Sequence, residues 1–119
     1  MIMGLGTDII EISRISKVNK DNRLAKRILT PDELYHYEEI SNEERKTSYL
    51  AGRFAVKEAY SKALGTGIGG TVSFNDINCI NDVNGKPSLT NAPNAHVSIS
   101  HSRDYAVATV IIEEANDER

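Results

Sequence analysis

A helix with almost no polar side restricts this chain more than any other feature. Residues 50–64 read LAGRFAVKEAYSKAL and stop at Gly65, a natural helix terminator. At about 100° per residue, Glu58 and Lys62 share a stripe with Phe54, Ala51 and Ala55. Ala59, Ala63, Val56, Tyr60 and Leu64 fill the rest, and only a narrow sector around Arg53, Lys57 and Ser61 is polar. A helix of that kind is covered on nearly every side. Charges in it are costly unless paired or bound to a metal or ligand. Glu58 and Lys62, one turn apart, have two readings. They form an i,i+4 ion pair worth a few tenths of a kcal/mol, or they face a ligand that the small Ala51 and Ala55 let in.

The chain of 119 residues is predicted to be one domain, 1–119, with a modest core. No apolar run approaches the ~20 residues of a membrane span, and the N-terminus MIMGLGTDIIEI lacks the basic and small-residue features of a signal peptide. A single cysteine, Cys79, points to a reducing cytoplasm and a small core residue. The net charge is −3, unevenly spread: residues 13–30 carry +5, leaving −8 for the remainder. Such a patch reads either as a docking surface for an anionic partner or as a solvated helix face. It lacks the interleaved aromatics of a nucleic-acid surface, so no nucleic acid and no membrane is expected.

Along the chain, IMGLGTDIIEI reads as a strand of about ten residues, with Gly4 and Gly6 marking a close backbone approach or a bend. The basic stretch reads as helix, with Ile15, Val18, Leu24 and Ile28 inward. TPDE at 30–33 is a capping box opening a helix to about Ile40, and SNEE at 41–44 a second one opening the long helix. Glycines 65–70 make a loop before a strand. Asn84-Gly85 signals a hairpin, and HVSISHSRDYAVATVII reads as strand, tight turn, strand, followed by an acidic, frayed tail. The order predicts an α+β fold with a mostly antiparallel sheet around the long helix.

Asp8 and Glu58 are carboxylates in apolar contexts, far apart in sequence, with Lys62 one turn beyond Glu58. Paired carboxylates suit Mg²⁺, which takes a few protein oxygens and leaves positions for water and phosphate. A lysine beside them suits phosphate charge, and glycine-rich backbone can bond phosphate oxygens. Together they suggest a phosphate or pyrophosphate ligand. His101 has three readings: a turn residue satisfied by its own backbone, a phosphate or ribose contact, or a base. His36 and His96 read as surface residues without metal spacing.

Three segments, GLGTDIIEISRI, GRFAVKEAYSKALGTGIG and VSISHSRDYAVATVI, resemble those of the holo-acyl-carrier-protein synthases, the small bacterial type of 4′-phosphopantetheinyl transferase. The likeness runs over nearly the whole chain. It implies the family's α+β fold, a homotrimer with active sites shared between subunits, and the transfer of phosphopantetheine from coenzyme A to a serine of apo-acyl carrier protein. It implies Mg²⁺, with Mn²⁺ as a substitute, on Asp8 and Glu58, and Lys62 on the coenzyme A phosphates. Arg53 and His101 match positions lining the nucleotide, Arg45 reaches toward its 3′-phosphate, Gly65 belongs to the phosphate loop, and Lys86 and Pro87 flank the adenosine. Arg14, Arg23 and Arg27 match the basic helix that meets the acidic carrier. Gly70 stands where relatives often carry a charged residue.

By this reading Asp8, Glu58 and Lys62 are the catalytic group, and the base is Glu58, Asp8 or a metal-bound water. Two other classes compete. A non-catalytic coenzyme A sensor would use the same pocket without turnover, and an interaction module would bind an acidic partner without needing a divalent metal.

Overall fold

In the computed structural model, residues 1–68 and 72–114 are described; Gly69, Gly70, Thr71 and the acidic tail from 115 onward lie outside them. Among the described residues, five strands and four α-helices follow in the order β1 (Ile2–Glu11), α1 (Ile12–Val18), α2 (Arg23–Ile28), α3 (Pro31–Glu39), α4 (Glu43–Leu64), β2 (Cys79–Asn81), β3 (Pro87–Leu89), β4 (Ala95–His101) and β5 (Tyr105–Glu113). The main sheet is antiparallel, ordered β1-β5-β4, and β2 and β3 form a separate antiparallel hairpin. This is the expected α+β architecture, with α4 laid across one face of the main sheet.

Two glycines set that contact. A Cβ on Gly4 would stand 2.1 Å from the Ala63 carbonyl oxygen, and one on Gly6 would stand 1.9 Å from that of Ala59. No other residue fits there, so β1 lies directly on the backbone of α4. Further toward its start, α4 packs Leu50 and Ala51 against Ile15, Leu24 and Ile28 of α1 and α2, with Ala106 of β5. Toward its end, Val56 and Ala59 meet Ile77, Cys79, Leu89 and Val110. Cys79 is a fully buried core residue, as its size suggests.

Local signals placed most helix ends. Thr30 and Glu33 form the capping box of α3, each side chain bonded to the other's backbone N–H. Gly65 ends α4 in the left-handed conformation, φ 83°. Three expectations change. The α4 cap is Asn42, whose side chain accepts from Arg45 N–H at 2.9 Å, and not Ser41, because the helix begins one residue later. The basic stretch is two short helices parted by a 3₁₀ turn at Lys20–Asn22, and Val18, before that break, is 58% exposed. The sector of Arg53, Lys57 and Ser61, the polar one in sequence, is buried.

Candidate functional site

The wet side of α4 is the stripe that carries Glu58 and Lys62. Lys62 is about half exposed, and its ammonium bonds Asp8 Oδ1 at 3.0 Å and the Thr7 carbonyl at 3.1 Å. It therefore pairs across to β1, and the i,i+4 pair with Glu58 does not form. Asp8 is brought there by the glycine contacts, which press β1 onto α4 just before it. Glu58 is half-buried, and its carboxyl is pushed above the ordinary 4.5, first by burial and then by the negative charge of Asp8, with Lys62 pulling the other way. Two acids from distant segments thus feel one another at one place. Among the described residues no third His, Cys, Asp or Glu joins them.

The donor set suits a small hard cation. Two carboxylates supply oxygen ligands, their mutual repulsion favours a positive ion between them, and the partly solvated position leaves room for water and phosphate. Gly65 lies one turn beyond Lys62, and the Gly65, Thr66 and Gly67 N–H groups all turn back to the Ser61 carbonyl.

The remaining candidates do not all converge on this centre. Arg45 is exposed in the first turn of α4, 17 residues before Lys62, or about 25 Å along the helix. His101 sits at the same far end, its Nε2 3.1 Å from the Ser48 carbonyl. Its ring rests on Gly52, where a Cβ would meet Nε2 at 3.0 Å. Beside it runs a groove of about 700 Å³ between α1 (Ser13, Ser16), α4 (Glu43, Thr47) and the β4–β5 turn (Arg103, Asp104). Lys86 and Pro87 lie on the β2–β3 hairpin, whose turn is organised by Asp82 Oδ1 accepting from the Asn84 and Lys86 N–H groups at 2.8 and 2.9 Å.

Arg53 is only 5% exposed. Its guanidinium donates to the Cys79 carbonyl at 3.3 Å and to Asn81 Oδ1 at 2.9 Å, and lies 4.3 Å over the Tyr49 ring. Its donors serve β2, at the root of the hairpin that carries Lys86. Arg14, Arg23 and Arg27 are exposed and make no ion pair among the described residues.

Sequence reasoning missed one charged cluster altogether. Lys57 and Glu33, both fully buried, pair at 2.8 Å. Lys57 also donates to the Phe74 carbonyl at 3.0 Å and to that of Ile77. Glu33 accepts from the Thr30 and Cys79 N–H groups at 2.9 and 2.7 Å. The pair ties α3, α4 and the segment before β2 together. Its signal was a lysine on an apolar helix, but Glu33 read as fully employed in its capping box.

The model of the 4′-phosphopantetheinyl transferase superfamily matches residues 4–110. The chain is 53% identical over 115 residues to a holo-[acyl-carrier-protein] synthase of Staphylococcus saprophyticus, covering 95% of this chain and 99% of that protein. It is 50% identical over 117 residues to that of Staphylococcus aureus strain Newman, covering 97% and 98%. Among solved structures it superposes on a Bacillus anthracis holo-(acyl-carrier-protein) synthase in complex with CoA (3′,5′-ADP), with TM-score 0.89 and 49% identity over 97% of this chain and 99% of that one. It also superposes on the Helicobacter pylori holo-[acyl-carrier-protein] synthase in complex with coenzyme A, with TM-score 0.76 and 34% identity over 92% of this chain and 99% of that one.

Proposed function

Because the chain belongs to the 4′-phosphopantetheinyl transferase superfamily, we propose that Asp8, Glu58 and Lys62 form the centre of its reaction. That reaction is transfer of the 4′-phosphopantetheine group of coenzyme A to a serine of apo-acyl carrier protein, as in the synthases it resembles. The serine oxygen bonds to the pantetheine-side phosphorus. The bond from that phosphorus to the bridging oxygen breaks, and adenosine 3′,5′-bisphosphate leaves. The observation that carries the reading is the raised Glu58 carboxyl facing Asp8 beside a half-exposed lysine.

Asp8 and Glu58 hold Mg²⁺, or Mn²⁺ in its place, and the ion when bound supplies neutralising charge to the pyrophosphate. Lys62, with its stem on α4 and its ammonium in solvent, turns from Asp8 to the phosphates and balances the charge that grows on the leaving oxygen. Glu58 or Asp8 is the candidate acceptor for the serine proton. Arg53, at a position that lines the nucleotide by family resemblance, also braces β2 at the root of the hairpin that carries Lys86. Isothermal titration tests the metal assignment: Asp8→Ala and Glu58→Ala should each abolish measurable Mg²⁺ affinity and most activity with the fold retained. Unchanged affinity in both variants would remove the metal from this site.

The separation along α4 supports sharing of sites between copies of the chain. The 3′-phosphate and the pyrophosphate of coenzyme A hang on one ribose and cannot stand about 25 Å apart. Arg45 and Lys62 of one chain therefore serve different coenzyme A molecules, and a neighbour's Arg45 and His101 complete each centre. The outer face of the main sheet provides the surface. Met3, Leu5 and Ile9 are each more than 60% exposed, and Leu5 and Ile9 pair across β1–β5 with Ile111 and Val107. An apolar sheet face of this kind calls for cover. A homotrimer, the number that the family resemblance implies, covers it with copies of itself. Light scattering should give three chain masses for the native protein and one for Leu5→Asp, and a native monomer would contradict the shared site. The lone buried cysteine fits a cytoplasmic protein, and no helix among the described residues is long and apolar enough to cross a membrane.

A further inference from the structure

The basic stretch bends where two consecutive residues other than glycine stand in the left-handed region: Asp21 at φ 56°, ψ 31° and Asn22 at φ 59°, ψ 27°. Asp and Asn tolerate that region better than most residues, but two in succession persist only where the surroundings over-determine them. Here the backbone turn, with Asn22 N–H on the Asn19 carbonyl at 3.0 Å, is joined by one buried hydroxyl. Tyr37 of α3, 3% exposed, accepts from Asn19 Nδ2 at 3.0 Å and donates to Asn22 Oδ1 at 2.7 Å. Asn19 Oδ1 in turn accepts from Ala25 N–H at 2.9 Å, satisfying a free donor in the first turn of α2. Lys46 of α4 closes over the Tyr37 ring, 4.7 Å from its centroid.

The bend decides where the arginines stand. Arg14 immediately precedes Ile15, and Arg23 immediately precedes Leu24. On an unbroken helix the nine-residue spacing would set each pair about 180° apart, with Arg14 and Arg23 on opposite sides. In the structure Ile15 and Leu24 enter the same core. Each arginine then takes the same stance beside its buried neighbour, and the exposed cations of α1 and α2 can act as one surface.

We propose that Tyr37, Asn19 and Asn22 are positioning residues for carrier docking, their hydrogen bonds holding the bend that aligns Arg14 with Arg23 and Arg27 against an acidic partner helix. The inference rests on the docking role that the family resemblance gives those three arginines. None of the positioning side chains touches coenzyme A or the reacting atoms.

The test is steady-state kinetics with the carrier and coenzyme A varied in turn, alongside thermal melting. Arg14→Glu with Arg23→Glu should raise the carrier KM most strongly. Tyr37→Phe keeps the ring and removes only the hydroxyl with its two hydrogen bonds; it should raise the carrier KM about fivefold or more, at least the scale of one hydrogen bond, with kcat and the coenzyme A KM unchanged. Asn22→Gly adopts the left-handed region without strain yet loses the acceptor, so it should raise the carrier KM comparably without lowering the melting temperature. Wild-type carrier KM in both Tyr37→Phe and Asn22→Gly, with the charge reversal still defective, overturns the positioning role and leaves docking intact. A coenzyme A KM that rises in parallel overturns it too, as a general structural loss. Wild-type carrier KM in the charge-reversed protein removes the docking reading, and the inference falls with it.

Discussion

Lys57 and Lys62 lie five residues apart on one helix, each with a carboxylate partner brought from far away in sequence, and they live in opposite solvents. Lys57 is fully buried against Glu33 and two backbone carbonyls. Lys62 is half exposed against Asp8 and one. The positions are about 140° apart around α4, one toward α3 and the β2 approach, the other toward the end of β1. Burial pushes the Lys57 ammonium down while Glu33 pulls it up, and every donor of that pair is satisfied within the protein. The Asp8–Glu58–Lys62 group is different. Its like charges oppose one another, and its lysine faces water. The saturated pair joins elements of the fold; the other group keeps charge facing solvent.

The largest effect should come from breaking the saturated pair alone. Lys57→Met leaves Glu33 buried without its cation and should cost about 3–5 kcal/mol in chemical denaturation. Adding Glu33→Leu to it should recover part of that loss, because the uncompensated buried charge is gone. A Lys57→Met protein of native stability would show that the pair is not what joins α3 to α4. The open pair should be nearly inert by the same assay. Lys62→Met should change stability by less than about 0.5 kcal/mol, as an exposed ion pair does, and a loss near that of Lys57→Met would erase the contrast.

The pattern of expectations met and missed follows the same division. Gly4 and Gly6, the Thr30–Glu33 box, Gly65 and the Asn84-Gly85 turn are local signals, and each element they mark stands where the sequence put it. The main sheet was legible because β4 and β5 alternate Val and Ile with Ser, Thr and Ala, and β1 is rich in Ile and Leu. Asp8 and Glu58 were legible because acids in apolar runs are costly enough to need a reason. What failed depends on contacts distant in sequence. The break at Asp21 and Asn22 is fixed by a tyrosine hydroxyl from α3. The burial of Arg53 comes from the carbonyl and amide oxygens of β2 to which it donates. Lys57 read only as part of a narrow polar sector, and its partner, Glu33, only as part of a local cap.

The smallest effect sharpens the electrostatics of the open group. The folded state raises the Glu58 carboxyl above its ordinary 4.5 through burial and Asp8. A carboxyl raised on folding adds stability that is complete below its unfolded value and lost as pH rises through the folded one. Glu58→Gln should therefore be slightly more stable than wild type at pH 7, with the gain vanishing below about pH 4.5. Denaturation midpoints at the two pH values check it, and the opposite pH trend would mean that Glu58 is stabilised by its surroundings.

The account stands on Lys62 serving the phosphates and not the fold. Its most direct test is the intact mass of apo-acyl carrier protein over time with coenzyme A, Mg²⁺ and either wild type or Lys62→Ala at equal folded concentration. Wild type should add one phosphopantetheine to the carrier, and Lys62→Ala should do so about a hundredfold more slowly or worse while melting like wild type. A Lys62→Ala rate within about threefold of wild type, under a kcal/mol of barrier, would return Lys62 to a surface ion pair and contradict the account.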